Sequence, residues 1–263
     1  MMDYEDFKKA FYHQSKINLD LYKEKQMKRR ITSLVEKNGF SNYMTFYWAM
    51  LRDKDLYDTF INYLTINVSE FYRNPSQWKL MENTIIPMLI KRKGKAENIR
   101  IWSSACSTGD EPYTIVMLLN KFMPLSKINI IATDIDTGAI HKAEQGIYPD
   151  RSVKDLPKEF LDKHFTCISE NLYKVSDEVK KCVDFRKLNL LEDKYPQGMD
   201  LIVCRNVLIY FTDEAKNHIY GNFNRSLVQD GILFLGSTEQ IIGSTRFGFK
   251  AIQTFFYQKT SPA

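Results

Sequence analysis

From Tyr4 to about Lys93 apolar residues recur three and four positions apart, the period of an amphipathic helix, with punctuation at Asn38-Gly39 and Asn74-Pro75. The spacing predicts an all-helical N-terminal domain over residues 1–90. After the basic connection Lys91-Arg92-Lys93-Gly94-Lys95, short apolar strands alternate with helices. Ile99–Trp102 reads as a strand, Glu111–Phe122 as a helix and Ile128–Thr133 as a second, parallel strand reached by a right-handed crossover. Helices are expected at Asp136–Gln145, stopping at Gly146, and at Leu156–His164. Between them and the next long strand the alternation breaks. Phe165–Ile168, Leu172–Val175 and Val183–Phe185 read as short strands of a small antiparallel β insertion over residues 165–185. The continuous apolar run Asp200–Cys204 predicts a central buried strand. The amphipathic stretch Ala215–Leu227, the strand Gly231–Leu235 and a closing segment Phe249–Gln258 complete an α/β domain over residues 91–263.

In an open α/β sheet the ligand sits beyond the carboxyl ends of the strands, and there the polar residues collect. The loop after the first strand, Ser103-Ser104-Ala105-Cys106-Ser107-Thr108-Gly109, is built of small residues that let backbone approach a ligand. Glu111-Pro112 then opens a helix with proline where its missing N–H does no harm. With Gly109 as its only glycine, this loop is not the G-x-G-x-x-G fingerprint of a bound pyrophosphate. Asp110 and Glu111 at the helix N-terminus would repel phosphate and suit a positively charged ligand, although helix capping explains two acids there equally well. Asp134, at the end of the second strand, stands where such folds bind ribose hydroxyls, and Asp136 is placed to cap the next helix. An adenosine ligand without phosphate and with a positive sulfonium, S-adenosylmethionine, satisfies all of this.

Composition narrows the class further. The chain has 263 residues, 44% hydrophobic and 13% aromatic, enough for one large domain and a smaller one. Its first residues carry acid where a secretory leader carries base, and no apolar run approaches the ~20 residues of a membrane helix, so a cytoplasmic protein without membrane insertion is expected. Four dispersed cysteines and four histidines form no metal or redox motif, so no metal is expected. A net charge of +5 is too small to mark a nucleic-acid binder. Its distribution is uneven: from Lys16 to Arg30 six basic residues face two acids, while Met27, Ile31, Leu34 and Val35 follow helical spacing. The basic face is either simply solvated or a docking surface for an acidic partner.

Five stretches in register resemble the chemotaxis receptor methyltransferases (the CheR family). They are Asn67-Val68-Ser69-Glu70-Phe71-Tyr72-Arg73, Trp102-Ser103 through Glu111-Pro112-Tyr113, Ala132-Thr133-Asp134-Ile135-Asp136, Asn189-Leu190-Leu191, and Cys204-Arg205-Asn206-Val207-Leu208-Ile209-Tyr210-Phe211. The resemblance implies a Rossmann-like sheet and an enzyme that methylates glutamates on the cytoplasmic helices of chemoreceptors, leaving S-adenosylhomocysteine. It implies cofactor contacts at Asn67, Ser69, Arg73, Glu111, Asp134, Asn189, Leu190, Arg205 and Asn206. From residues alone, capping of a helix that starts near Glu70 is the lesser alternative for Asn67 and Ser69. Arg73 and Tyr210 are expected beside the transferred methyl, and Lys23, Lys25, Lys28, Arg29 and Arg30 are expected to dock the acidic receptor as a monomer. The turn Ser169-Glu170-Asn171 is short for an insertion that grips a receptor tail, and no tethering is expected. An RNA or small-molecule methyltransferase and a non-catalytic scaffold on the same fold are the rival readings.

Overall fold

The computed structural model describes residues 2–67 and 69–261. Four helices form the N-terminal lobe: α1 (Tyr4–Ser15), α2 (Glu24–Lys37), α3 (Tyr43–Met50) and α4 (Lys54–Thr65). Side chains of Asp3, Asn42 and Asp53 accept the first free amides of α1, α3 and α4, so three of the four starts are written in capping residues. Phe7, Phe11, Phe46 and Phe60 lie at zero exposure in the middle, with Phe11 and Phe60 edge to face at 5.0 Å. Such pairs add about 1 kcal/mol beyond their burial, so this small lobe has a core of its own.

Helical structure does not continue unbroken to Lys93. α4 stops at Thr65, where Ile66 turns left-handed at φ 49°, and the described residues from Ile66 to Asn74 hold no helix. Asn74-Pro75 is a start and not a stop: Asn74 is left-handed at φ 62° and Pro75 opens α5 (Pro75–Leu80). A single π turn, Met81–Ile85, then leads into α6 (Ile86–Lys93), and Pro87, which has no N–H to offer the preceding turn, sits at that junction. Trp78, Met81, Ile85, Ile86 and Leu89 are buried in the same cluster as the sheet residues Ile101, Leu201 and Phe234. Packing therefore groups Pro75–Lys93 with the sheet, whereas the sequence expectation divided the chain at residue 90.

The sheet has seven strands in the order β6-β2-β1-β7-β8-β10-β9. They are β1 (Ile101–Ser103), β2 (Ile130–Asp134), β6 (Val183–Lys187), β7 (Met199–Cys204), β8 (Leu227–Leu235), β9 (Phe249–Gln253) and β10 (Phe256–Lys259). The first five in that order are parallel, and the terminal hairpin is antiparallel. Alternate residues face opposite layers: Leu201 and Val203 join one core and Ile202 and Cys204 the other, the period of a strand buried on both sides. Helix α7 (Asp110–Leu119), buried along its whole length, follows β1; α8 (Thr137–Gln145) follows β2; and α12 (Asp213–Ser226) links β7 to β8.

A separate three-stranded antiparallel sheet has the order β3-β5-β4, with β3 (Ile147–Pro149), β4 (Phe165–Ser169) and β5 (Leu172–Val175). Short helices α9 (Asp150–Val153), α10 (Lys158–His164) and α11 (Asp177–Lys180) surround it. The expected insertion exists with different membership. Val183–Phe185 belongs to β6, which pairs in parallel with β2 at the edge of the main sheet, and Ile147–Pro149 supplies the third strand. A three-residue apolar run does not encode its partner, which is decided by where α11 delivers the chain. Among the described residues no helix is long and apolar enough to cross a membrane.

Candidate functional site

β1 is flanked by β2 on one side and β7 on the other, so the chain order reverses there and a crevice opens at the carboxyl ends. The helical lobe closes it from above. Leu21 and Lys23 bond through their backbones to Thr212 and Tyr210 (2.9 Å each), and the Tyr22 and Phe211 rings meet at 4.9 Å. The Asn189 amide adds a bond to the Lys16 carbonyl (3.0 Å). The result is a cleft walled by both the helical lobe and the strand ends, with Tyr22, Leu64 and Thr65 on one side and Ser104, Asp134 and Arg205 on the other.

Asn67, Ser69, Arg73, Glu111, Asp134, Asn189, Leu190, Arg205, Asn206 and Tyr210, from five separate stretches of sequence, all line this one cleft. Both oxygens of Asp134 accept backbone amides, from Ser107 (2.7 Å) and Asp136 (3.0 Å), which fix the carboxylate at the strand end. Burial nevertheless raises its carboxyl to about 6, the amide donors opposing the shift. Glu111 is 9% exposed, accepts the Ser103 hydroxyl at 2.8 Å and is raised to about 7 by burial, against the pull of Arg205 and Ser103. Asp110, fully buried beside it, is raised to about 6 for the same reason. Glu111 and Asp134 line the cleft, with Asp110 buried behind Glu111, and together they make a field that attracts a cation and repels phosphate.

Asp136 has two tasks. One oxygen caps α8 through the amides of Gly138 (2.8 Å) and Ala139 (3.1 Å), as the sequence predicts; the other accepts Thr65 Oγ1 (2.9 Å) and Asn67 Nδ2 (2.6 Å). Asn67 Oδ1 in turn receives the Ser107 hydroxyl at 3.1 Å. Among the described residues no helix begins near Glu70, and Asn67 joins the lobes instead of capping one.

Arg205 is 7% exposed, with its guanidinium over Trp78 (4.8 Å) and Phe234 (5.0 Å). Its Nη2 donates to the Arg73 carbonyl (2.8 Å), Asn74 Oδ1 (3.1 Å) and Gln77 Oε1 (3.0 Å), while Nη1 lies 3.9 Å from Glu111. It thereby anchors the turn that presents Arg73. Tyr210 is half-buried, and burial raises its phenol, so the hydroxyl stays protonated and available as a donor near neutral pH.

The turn after β1 is held from outside as well. Gly109 adopts φ +91°, and a Cβ there would stand 2.8 Å from Ala143 Cβ and 3.0 Å from the Tyr148 hydroxyl. That hydroxyl donates to the Thr108 carbonyl at 2.5 Å, and the Tyr148 ring meets Phe71 at 4.7 Å.

The five basic residues stand apart from the cleft lining. Lys23, Lys25, Lys28 and Arg29 are exposed on or just before α2. Arg30 is half-buried, stacks 4.5 Å from the Tyr63 ring and donates to the Tyr63 carbonyl, so it is also part of the lobe's packing. Residues that sequence reasoning missed include Tyr22, which forms part of the cleft, and Glu239 behind it. A glutamate in Gly236-Ser237-Thr238-Glu239, directly after the apolar strand β8, is a signal of the same kind that singled out Asp134.

Comparison with known proteins bears on all of this. Residues 2–65 match the family model described as the all-alpha domain of CheR methyltransferases, and residues 67–256 match their SAM-binding domain. A chemotaxis protein methyltransferase of Listeria monocytogenes is 38% identical over 260 residues, covering 98% of this chain and 97% of that protein. One from Borreliella burgdorferi is 35% identical over 247 residues, covering 90% and 87%. The Escherichia coli protein of the same description is 36% identical over 190 residues, covering 70% and 64%. With both domains matched in order around the one cleft, the chain belongs to the CheR family and is a SAM-dependent methyltransferase of chemotaxis.

Proposed function

We propose that the enzyme methylates glutamate side chains on the cytoplasmic helices of chemoreceptors, giving glutamate methyl esters and S-adenosylhomocysteine and acting as a monomer from the cytoplasm. The observation that carries this reading is the one cleft whose lining brings the buried carboxylates Glu111 and Asp134 together with Arg73 and Tyr210. The donor set fits the cofactor: Asp134 for the ribose hydroxyls, Glu111 for the methionine amino group, Asn189 and Leu190 on the adenine side. Asn67, Ser69, Arg73, Arg205 and Asn206 complete the wall. No phosphate has to be accommodated among the acids.

When bound, S-adenosylmethionine supplies a methyl group already activated by a positive sulfur. The acceptor carboxylate, with an ordinary pKa of ~4.3, is ionised at neutral pH and needs no general base. What the protein contributes is placement and the exclusion of water. Arg73 orients the incoming carboxylate, and the Tyr210 hydroxyl donates a hydrogen bond that fixes its approach. The exposed cations Lys23, Lys25, Lys28 and Arg29, with Arg30 behind them, steer the acidic receptor surface toward the cleft.

The test is transfer of labelled methyl from S-adenosylmethionine to receptor-containing membranes, followed by mild alkali. A carboxyl ester releases its label as methanol. Label that resists alkali, as on an amide or a nucleobase, would overturn the proposal.

A further inference from the structure

Glu239 lies outside every stretch used above, yet it is 4% exposed and directly behind the cleft. Its Oε2 accepts the amides of Asn206 (2.6 Å) and Gly236 (2.9 Å), and its Oε1 accepts the amide of Leu208 (2.7 Å). One side chain thus binds the backbone of the turn leading from β7 to Tyr210. That turn needs a support, because Asn206 sits at φ 62°, a left-handed conformation that a non-glycine residue adopts at a cost. From the opposite side the Lys23 amide holds the Tyr210 carbonyl at 2.9 Å. The turn is therefore gripped between the helical lobe and a buried carboxylate.

The seat is made for that carboxylate. At Gly236 a Cβ would stand 2.5 Å from Glu239 Oε2 and 2.8 Å from the Asn206 nitrogen, so glycine is required where the acid folds back. Two of its donors are main-chain amides of the very segment that carries Asn206 and Tyr210, and the third is the amide of Gly236 in its own loop. Burying an acid is unfavourable unless hydrogen bonds compensate, and here three amides do so.

We propose that Glu239 is a positioning residue for methyl transfer: by binding the amides of Asn206 and Leu208 it sets the orientation in which Tyr210 enters the cleft. The inference rests on the assignment of Tyr210 made above. Glu239→Gln preserves size, but its NH2 faces amide donors on one side and the grip on Asn206 or Leu208 is lost. Tyr210 is then misplaced by a fraction of an ångström to an ångström, enough to lower kcat on the order of tenfold or more. Cofactor Kd, measured by calorimetry, changes far less than kcat.

The decisive measurement is a double-mutant cycle with Tyr210→Phe, read as methyl transfer to receptor membranes, with backbone hydrogen exchange alongside. Glu239→Gln is expected to speed exchange at Asn206 and Leu208. In the Tyr210→Phe background it should lower kcat further by no more than about twofold, because its effect runs through the missing hydroxyl. Equal fold-losses in both backgrounds, with kcat lowered by Tyr210→Phe alone, would overturn the positioning role and leave the Tyr210 assignment standing. An unchanged kcat in Tyr210→Phe alone would strike that assignment and this proposal with it. If neither Glu239→Gln nor Glu239→Asp yields a folded chain, Glu239 is a folding residue and the proposal is likewise overturned.

Discussion

Replacing Asp136 by alanine tests whether one side chain both starts a helix and holds the two lobes together. The loss of an N-cap carboxylate from α8 costs about 1 kcal/mol. On the interlobe side the Thr65 hydroxyl can fall back on the Ile61 carbonyl, to which it already lies at 3.0 Å, so little is lost there. Asn67 is different. Its amide retains Thr65 Oγ1 at 3.0 Å for one hydrogen, but the other is left in a half-buried position without an acceptor, a penalty of about 1–2 kcal/mol. The total is about 2–3 kcal/mol, which for a chain of this length lowers Tm by about 4–6 °C. Asp136→Asn separates the contributions. Its oxygen can still cap α8, but its NH2 then opposes the Asn67 NH2, so it should show only the interlobe part. Scanning calorimetry of the three proteins, with the cofactor titrated into each, reads the result. A Tm for Asp136→Ala within a degree of the parent would refute the reasoning, and Asp136→Asn as damaging as alanine would remove the cap from it.

Further outcomes follow from the cleft. Glu111 and Asp134 are held at about 7 and about 6, above their ordinary values, so the ligand-free fold is favoured by these groups at low pH and loses that contribution as pH rises through 6 to 7. A cationic ligand needs Glu111 ionised, so cofactor affinity should fall by up to about tenfold per unit below pH 7 and level off above it; a flat calorimetric profile from pH 5.5 to 8 contradicts this. Tyr210→Phe should lower kcat more than it weakens cofactor binding, and equal losses would make Tyr210 a binding residue only. Neutralising Lys25, Lys28 and Arg29, which are exposed, should raise receptor KM most at low salt and leave cofactor affinity alone; an unchanged KM removes that face from recognition. Arg30 is left out of this set because it packs on Tyr63.

Much of the site was legible because its residues stand at the ends of apolar strands, where nothing in the core explains them. Asp134, Glu111 and the run Arg205-Asn206 could be placed on one edge from periodicity alone, since the strands before them are short and their hydrophobic runs continuous. What each side chain bonds to could not. Arg205 was expected among the cofactor contacts, and it lines the cleft, but its donors go to the Arg73–Gln77 segment, 128 or more residues earlier in the chain. The edge strand β6 was misassigned to the insertion because its side chains carry no record of which strand they lie beside. The break at Ile66 was invisible for a related reason: its left-handed turn occurs at an isoleucine, where neither glycine nor proline marks it.

The contact between Tyr148 and the turn at Thr108-Gly109 changes how the small three-stranded sheet should be regarded. It is an outer buttress of the catalytic floor as well as a surface appendage. A shortened enzyme with that buttress pruned away would expose Phe71 and leave the turn after β1 with only its inner supports, Asp134 among them, so trimming this lobe to obtain a minimal catalyst would weaken the floor it was meant to isolate.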